Sequence, residues 1–182
     1  MTPSTPTYIA CVGSRETPPE VLRWMERMGA AIVEAGYHVV SGNAAGADQA
    51  WVRGANSIDP TMVRLCLPWA DYEAAAIHPR NAVTILDDET PRGRRYFDRA
   101  EAVHDAWSRM TPGGQRLHAR NAMIVDGALT VFGYTNGGSG GTTSAFKIAE
   151  LLGITTYNVR NPSVRLGVME IIESERKARV AK

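Results

Sequence analysis

Three stretches of this sequence combine small residues with polar or charged ones in the way an anion site requires. Gly13-Ser14-Arg15 sets a glycine, open to close backbone approach, before a hydroxyl and a guanidinium able to grip a phosphate through two hydrogen bonds. Taken alone it also describes a helix N-cap followed by a solvated arginine. In Ser41-Gly42-Asn43-Ala44-Ala45-Gly46-Ala47-Asp48 no bulky side chain intervenes before the carboxylate, so Ser41, Gly42, Gly46 and Asp48 are candidate contacts for a ligand lying on bare backbone. The competing reading is an aspartate favoured at a helix start by the helix dipole. Asn136-Gly137-Gly138-Ser139-Gly140-Gly141-Thr142-Thr143 leads directly into a helix. Its backbone N–H groups and the hydroxyls of Ser139, Thr142 and Thr143 can donate to a phosphate, with Gly138, Gly140 and Gly141 permitting the approach. This is neither a Walker A loop, for no Gly-Lys-Ser/Thr follows, nor a GxGxxG turn after the first strand.

Arg120 and Asn121 add a fourth cluster, although Arg120 alone reads as an ordinary surface arginine of an amphipathic helix. Catalytic candidates are weak: Asp48 as an acid or base, and His118 behind it. His38 lies in a strand pattern, His78 and His104 lack paired ligand spacing, and no metal or cofactor is expected.

The elements around these loops follow an alternating plan. Apolar runs at residues 8–13, 37–41, 61–67, 128–133 and 154–158 read as buried strands. Helical stripes occupy residues 18–35, 47–55, 115–126, 142–152 and 163 onward, the first opened by Pro18-Pro19 and closed by Gly36. Residues 69–114 break the rhythm and read as an insertion with one helix over 94–110. The expected fold is α/β and Rossmann-like: a mostly parallel, doubly wound sheet of about five strands in the order 3-2-1-4-5, with helices on both faces and a helical insertion before the fourth strand. Residues 8–182 read as one such domain after a disordered stretch over residues 1–7. In that architecture ligands bind at the carboxyl ends of the strands, where all three loops fall.

The 182 residues carry 20 Lys plus Arg against 19 Asp plus Glu, a formal net charge of +1, so any anion site is local. Within the insertion Arg92, Arg94, Arg95, Arg99 and Arg109 are balanced by Asp87, Asp88, Glu89, Asp98, Glu101 and Asp105, which reads as a solvated helix rather than a basic stripe. No apolar run approaches the ~20 residues of a membrane span and no signal pattern opens the chain, so a soluble, cytoplasmic protein with no membrane partner is expected. Cys11 and Cys66 lie in apolar strands kept apart by the strand order, and they read as buried, reduced thiols. Val103 and Trp107, surplus to the central sheet, point to a homo-oligomer.

Taken in order, Gly13-Ser14-Arg15, Val40-Ser41-Gly42-x-Ala44-x-Gly46-Ala47-Asp48, Leu67-Pro68, Arg120-Asn121 and the glycine turn resemble the DNA-processing protein A and LOG-like (SLOG) superfamily over residues 8–158. The chain looks most similar to its short, often phage-encoded members called DNA recombination mediator-like. The resemblance implies a Rossmann-like sheet whose glycine loops form one pocket for nucleotide phosphates or a DNA backbone. LOG-type phosphoribohydrolases carry a catalytic Glu after their glycine-threonine motif, and here Ala145 stands in its place. The chain also leaves no room for the flanking partner-recruiting domains of full-length DNA-processing protein A. Binding of a nucleotide or nucleotide-derived small molecule, with sequestration or sensing of a nucleotide signal as its use, is therefore the leading expectation. The alternatives are LOG-type N-glycosidic hydrolysis and single-stranded nucleic acid binding.

Overall fold

A computed structural model describes residues 5–138 and 140–180; residues 1–4, most of the stretch expected to be disordered, lie outside the described part, as does Ser139. Six strands form one parallel sheet: β1 (Tyr8–Gly13), β2 (His38–Ser41), β3 (Val63–Leu67), β4 (Ala82–Ile85), β5 (Ala128–Tyr134) and β6 (Thr156–Asn158), in the order β4-β3-β2-β1-β5-β6. The helices are α1 (Pro19–Glu34), α2 (Ala47–Ile58), α3 (Pro91–Ala102), α4 (Pro112–Val125), α5 (Gly141–Leu151) and α6 (Pro162–Val180).

Side chains alternate across the sheet, so β1, β2, β3 and β5 each feed two cores. Ile9, Cys11, Val39, Leu65 and Phe132 pack on one face under α1, α2 and α6. Ala10, Val12, Val40, Cys66 and Val131 pack on the other under α3, α4 and α5. Trp51 of α2 is fully buried in the first core and its indole N–H donates to the Val12 carbonyl at 3.4 Å, tying α2 to β1 just before the Gly13 turn. α1 and α2 lie close because Gly29 and Gly54 present bare backbone: a Cβ at either would overlap a carbonyl of the facing helix.

The expected strand order holds, with one strand more than the sequence pattern gave. β4 arises inside the presumed insertion and pairs with β3 in the register Leu65↔Val83 and Leu67↔Ile85. All four of its residues are exposed, with Val83 at 44% and Ile85 at 45%, so it carries no burial signature to read. The helix expected over 94–110 is shorter than that span: α3 ends at Ala102, and Trp107–Arg109 is a separate 3-10 turn. Asp126 accepts from Arg99 at 2.8 Å, Arg92 at 3.0 Å and Tyr96 at 3.0 Å, clamping α3 to the end of α4. Val103 and Trp107, both half-buried, pack against the second core within the chain.

From β1 the chain moves outward through β2, β3 and β4, then returns to place β5 on the opposite side of β1. That reversal opens a crevice at the carboxyl ends of β1 and β5. The register Gly13↔Tyr134 and the bond from the Ser14 N–H to the Tyr134 carbonyl at 3.0 Å hold its two lips together.

Candidate functional site

The crevice is a cleft of about 530 Å³. Gly13, Ser14 and Arg15 line it from the end of β1, Asp48 from the first turn of α2, His118, Arg120 and Asn121 from α4, and Gly140, Gly141 and Thr142 from the start of α5. Residues from all four sequence clusters thus meet in one place, although they are far apart in the chain.

Asp48 is the brace of the site. It is 4% exposed, and its two carboxylate oxygens accept from the Gly13 N–H at 3.1 Å and the Ala44 N–H at 3.3 Å, joining the β1 and β2 loops. Burial pushes its pKa up to about 6, against the opposing pull of Arg120 and of the backbone N–H groups of Ala44, Gly13 and Gly42. Gly13 must be small because a Cβ there would overlap the Ala47 side chain at the head of α2. Gly46 has φ +90°, a conformation favouring glycine, and brings the loop against the backbone of Arg15.

Arg120 departs most from its reading as a surface residue. It is 5% exposed, its guanidinium lies 5.5 Å from the centre of the Tyr72 ring, and Nη1 stands 3.7 Å from the Asp48 carboxylate. Its Nε and Nη1 have no hydrogen-bond partner among the described residues. The cause is the run from His118 to Val125, buried at every position as α4 passes beneath the loops. Arg15 stays exposed, and its Nη2 donates to the Tyr72 hydroxyl at 3.2 Å, so one tyrosine carries both arginines.

His118 is buried beside His104, ring centres 4.5 Å apart, and burial with the neighbouring His104 and Arg120 charges lowers its pKa to about 4. It is therefore a neutral imidazole at pH 7. Asn121 donates from Nδ2 to the Gly141 carbonyl at 3.0 Å, fixing the start of α5. The preceding loop is set by the Thr135 and Thr143 hydroxyls, 2.8 Å apart, and by φ of +87° and +82° at Gly137 and Gly138. Gly140, the N-cap of α5, has an ordinary extended backbone.

Five of the expected ligand contacts are not on the cleft wall. The Ser41 hydroxyl donates to the Cys11 carbonyl at 2.6 Å, and Gly42 lies under Arg120 and Asp48, where a Cβ would overlap both. Gly46 turns the backbone behind Arg15, so these three shape the site from beneath. Gly138 and Thr143 line a smaller neighbouring pocket. Ser139 lies outside the described residues. Tyr72, in contrast, was missed in the sequence, although it follows β3 at the ligand-binding end of the sheet, where any loop is a candidate.

The model of the family described as DNA recombination-mediator protein A matches residues 2–65, the part that contains the Gly13 turn and the Asp48 loop. The fold of the chain is shared with DNA processing protein A from Helicobacter pylori, whose structure is described for a single-stranded DNA binding mode: TM-score 0.65, 15% identity, covering 96% of this chain and 82% of that one. It is shared also with DNA processing protein A from Streptococcus pneumoniae at TM-score 0.56 and 16% identity, over 84% of this chain and 50% of that one. No curated protein matches the sequence. At these identities the likeness is one of fold.

Proposed function

We propose that this cleft binds a nucleotide or nucleotide-derived ligand through its phosphate. The observation that carries the reading is Arg120, a buried guanidinium at the cleft wall whose Nε and Nη1 are unbonded and whose carboxylate partner is 3.7 Å away. Such a group is costly to bury unless something completes its contacts, and a phosphate in the cleft is the natural counter-anion. Two further features converge on the same space. Arg15 projects from the β1 turn, and the N–H groups of Gly141 and Thr142 have no partner within α5, because the first turn of a helix never does. Of the 41–48 loop only Ala44 and Asp48 reach the cleft, so that loop offers a wall rather than a broad platform.

Calorimetric titration with ribose 5-phosphate, the nucleoside 5′-monophosphates and an oligothymidylate tests this. Binding of the small phosphates, weakened in Arg15→Ala, is the expected result. Binding of the oligonucleotide alone, falling steeply with salt as counterions are released, moves the assignment to single-stranded DNA, the ligand described for the Helicobacter protein.

N-glycosidic hydrolysis is a second reading, favoured by Asp48, whose carboxyl at about 6 suits an acid or base near neutral pH. The position of the LOG-type Glu is Ala145, fully buried in the core. Release of free base from a nucleotide panel, abolished in Asp48→Asn, distinguishes hydrolysis from binding.

A further inference from the structure

Beside the cleft lies a second, smaller pocket of about 100 Å³, and we propose that it receives the base of the ligand whose phosphate occupies the cleft. The inference rests on the phosphate-binding reading above and goes beyond it by placing the rest of the ligand.

The two pockets share their partition. Gly137 and Thr142 line the cleft, while their chain neighbours Gly138 and Thr143 line the side pocket, so the turn and the head of α5 separate spaces one residue apart. The wall continues as the His118–His104 pair, His118 facing the cleft and His104 the side pocket, with ring planes at 73°. A phosphate held at the head of α5 therefore has the side pocket within the span of one sugar.

The pocket also contains an unfinished polar site. Ser144 is 3% exposed, lines the pocket, and its hydroxyl has no hydrogen-bond partner among the described residues. Lys147, one turn further along α5, and Asp105 also line it, and neither has an ion-pair partner among the described residues. A second phosphate would face Asp105 and is disfavoured. A nucleobase fits this mixture: its edge offers both donors and acceptors to Asp105, Ser144 and Lys147, and its faces meet the His104 ring and the apolar Val103.

The test compares the affinity of each nucleoside 5′-monophosphate with that of ribose 5-phosphate, in the wild type and in Lys147→Ala and Asp105→Ala. Lys147 and Asp105 are both exposed, so the fold tolerates their removal. The expected result is at least one nucleotide bound about tenfold or more tightly than ribose 5-phosphate, a ratio reduced toward one in both variants. A ratio of one in the wild type, or one unchanged in both variants, overturns the base subsite while ribose 5-phosphate binding sustained by Arg15 leaves the phosphate reading standing. Failure of every small phosphate to bind overturns both.

Discussion

The Arg120 guanidinium faces the Asp48 carboxylate at 3.7 Å without a hydrogen bond between them, in a site where both side chains are almost wholly buried. The pair is loose because Asp48 spends its lone pairs on the Gly13 and Ala44 N–H groups. A bound phosphate therefore meets two opposed charges, and how strongly it binds depends on which form Asp48 takes. With its carboxyl at about 6, Asp48 loses its charge as pH falls through that value and leaves Arg120 to the ligand. Affinity for ribose 5-phosphate, taken relative to Asp48→Asn so that the titration of the phosphate cancels, should rise about two- to sixfold between pH 7.5 and 5.5, corresponding to a half to one unit of pKa linkage. A ratio flat with pH would separate Asp48 from the ligand. The same raised pKa means that this group favours the folded state fully below its ordinary value of 3.8 and loses that contribution as pH rises through about 6.

Arg15 separates binding from folding more cleanly than Arg120 does. Removing Arg120 would leave Asp48 buried without its cation, a change expected to cost about 3 to 5 kcal/mol. Arg15 is exposed, and its one hydrogen bond, to the Tyr72 hydroxyl, is at the surface of the cleft. Arg15→Ala should weaken phosphate binding by about ten- to a hundredfold, the loss of a charge-assisted contact, and shift the thermal midpoint by only about one or two degrees. Calorimetry and thermal denaturation of the same sample read both. A large drop in midpoint with affinity intact would make Arg15 a structural residue.

Sequence periodicity exposed what burial writes into the chain and missed what burial does not. β1, β2, β3 and β5 are buried apolar runs and were legible; β4 is exposed along its whole length and was not. The loops of the cleft were recognisable by their small residues, but two different reasons for smallness look alike in a sequence. Gly13 and Gly42 are small because helix α2 and Arg120 press on them, whereas Gly137 and Gly138 need a positive φ. Arg120 read as a surface residue because a guanidinium on a helix is normally solvated, and only the tertiary fold shows that α4 runs beneath two loops.

The two thiols should be inert in the folded protein. Cys11 and Cys66 are fully buried on strands separated by β2, and they point into opposite cores. Burial raises the thiol of Cys66 to about 11 and that of Cys11 well above its ordinary value, which suppresses the reactive thiolate. Alkylation followed by mass spectrometry should label neither in native buffer and both in denaturant. Rapid native labelling of either would contradict their burial, and a disulfide joining them would contradict the sheet order.

The head of α5 offers the most direct test of the anion site. α3 and α4 are capped by the Thr90 and Thr111 hydroxyls, which accept from Gly93 and Gly114 at 3.0 and 3.1 Å, but the Gly140 N-cap of α5 supplies no side chain. Gly140 has φ −71° and ψ 165°, and a Cβ there would meet nothing within 4 Å, so the glycine is not required by the backbone. Gly140→Ser should therefore stabilise the fold slightly, by about 0.3 kcal/mol, because its hydroxyl can accept from the free N–H groups of the first turn. Those are the donors assigned to the phosphate, so affinity for ribose 5-phosphate should fall in the same variant. Gly138→Ala serves as the contrast: at φ +82° it should lower stability by about 1 to 2 kcal/mol through backbone strain. If Gly140→Ser gains stability and binds ribose 5-phosphate as tightly as the wild type, the N–H groups of α5 do not contact the ligand, and the phosphate must rest on Arg15 and Arg120 alone.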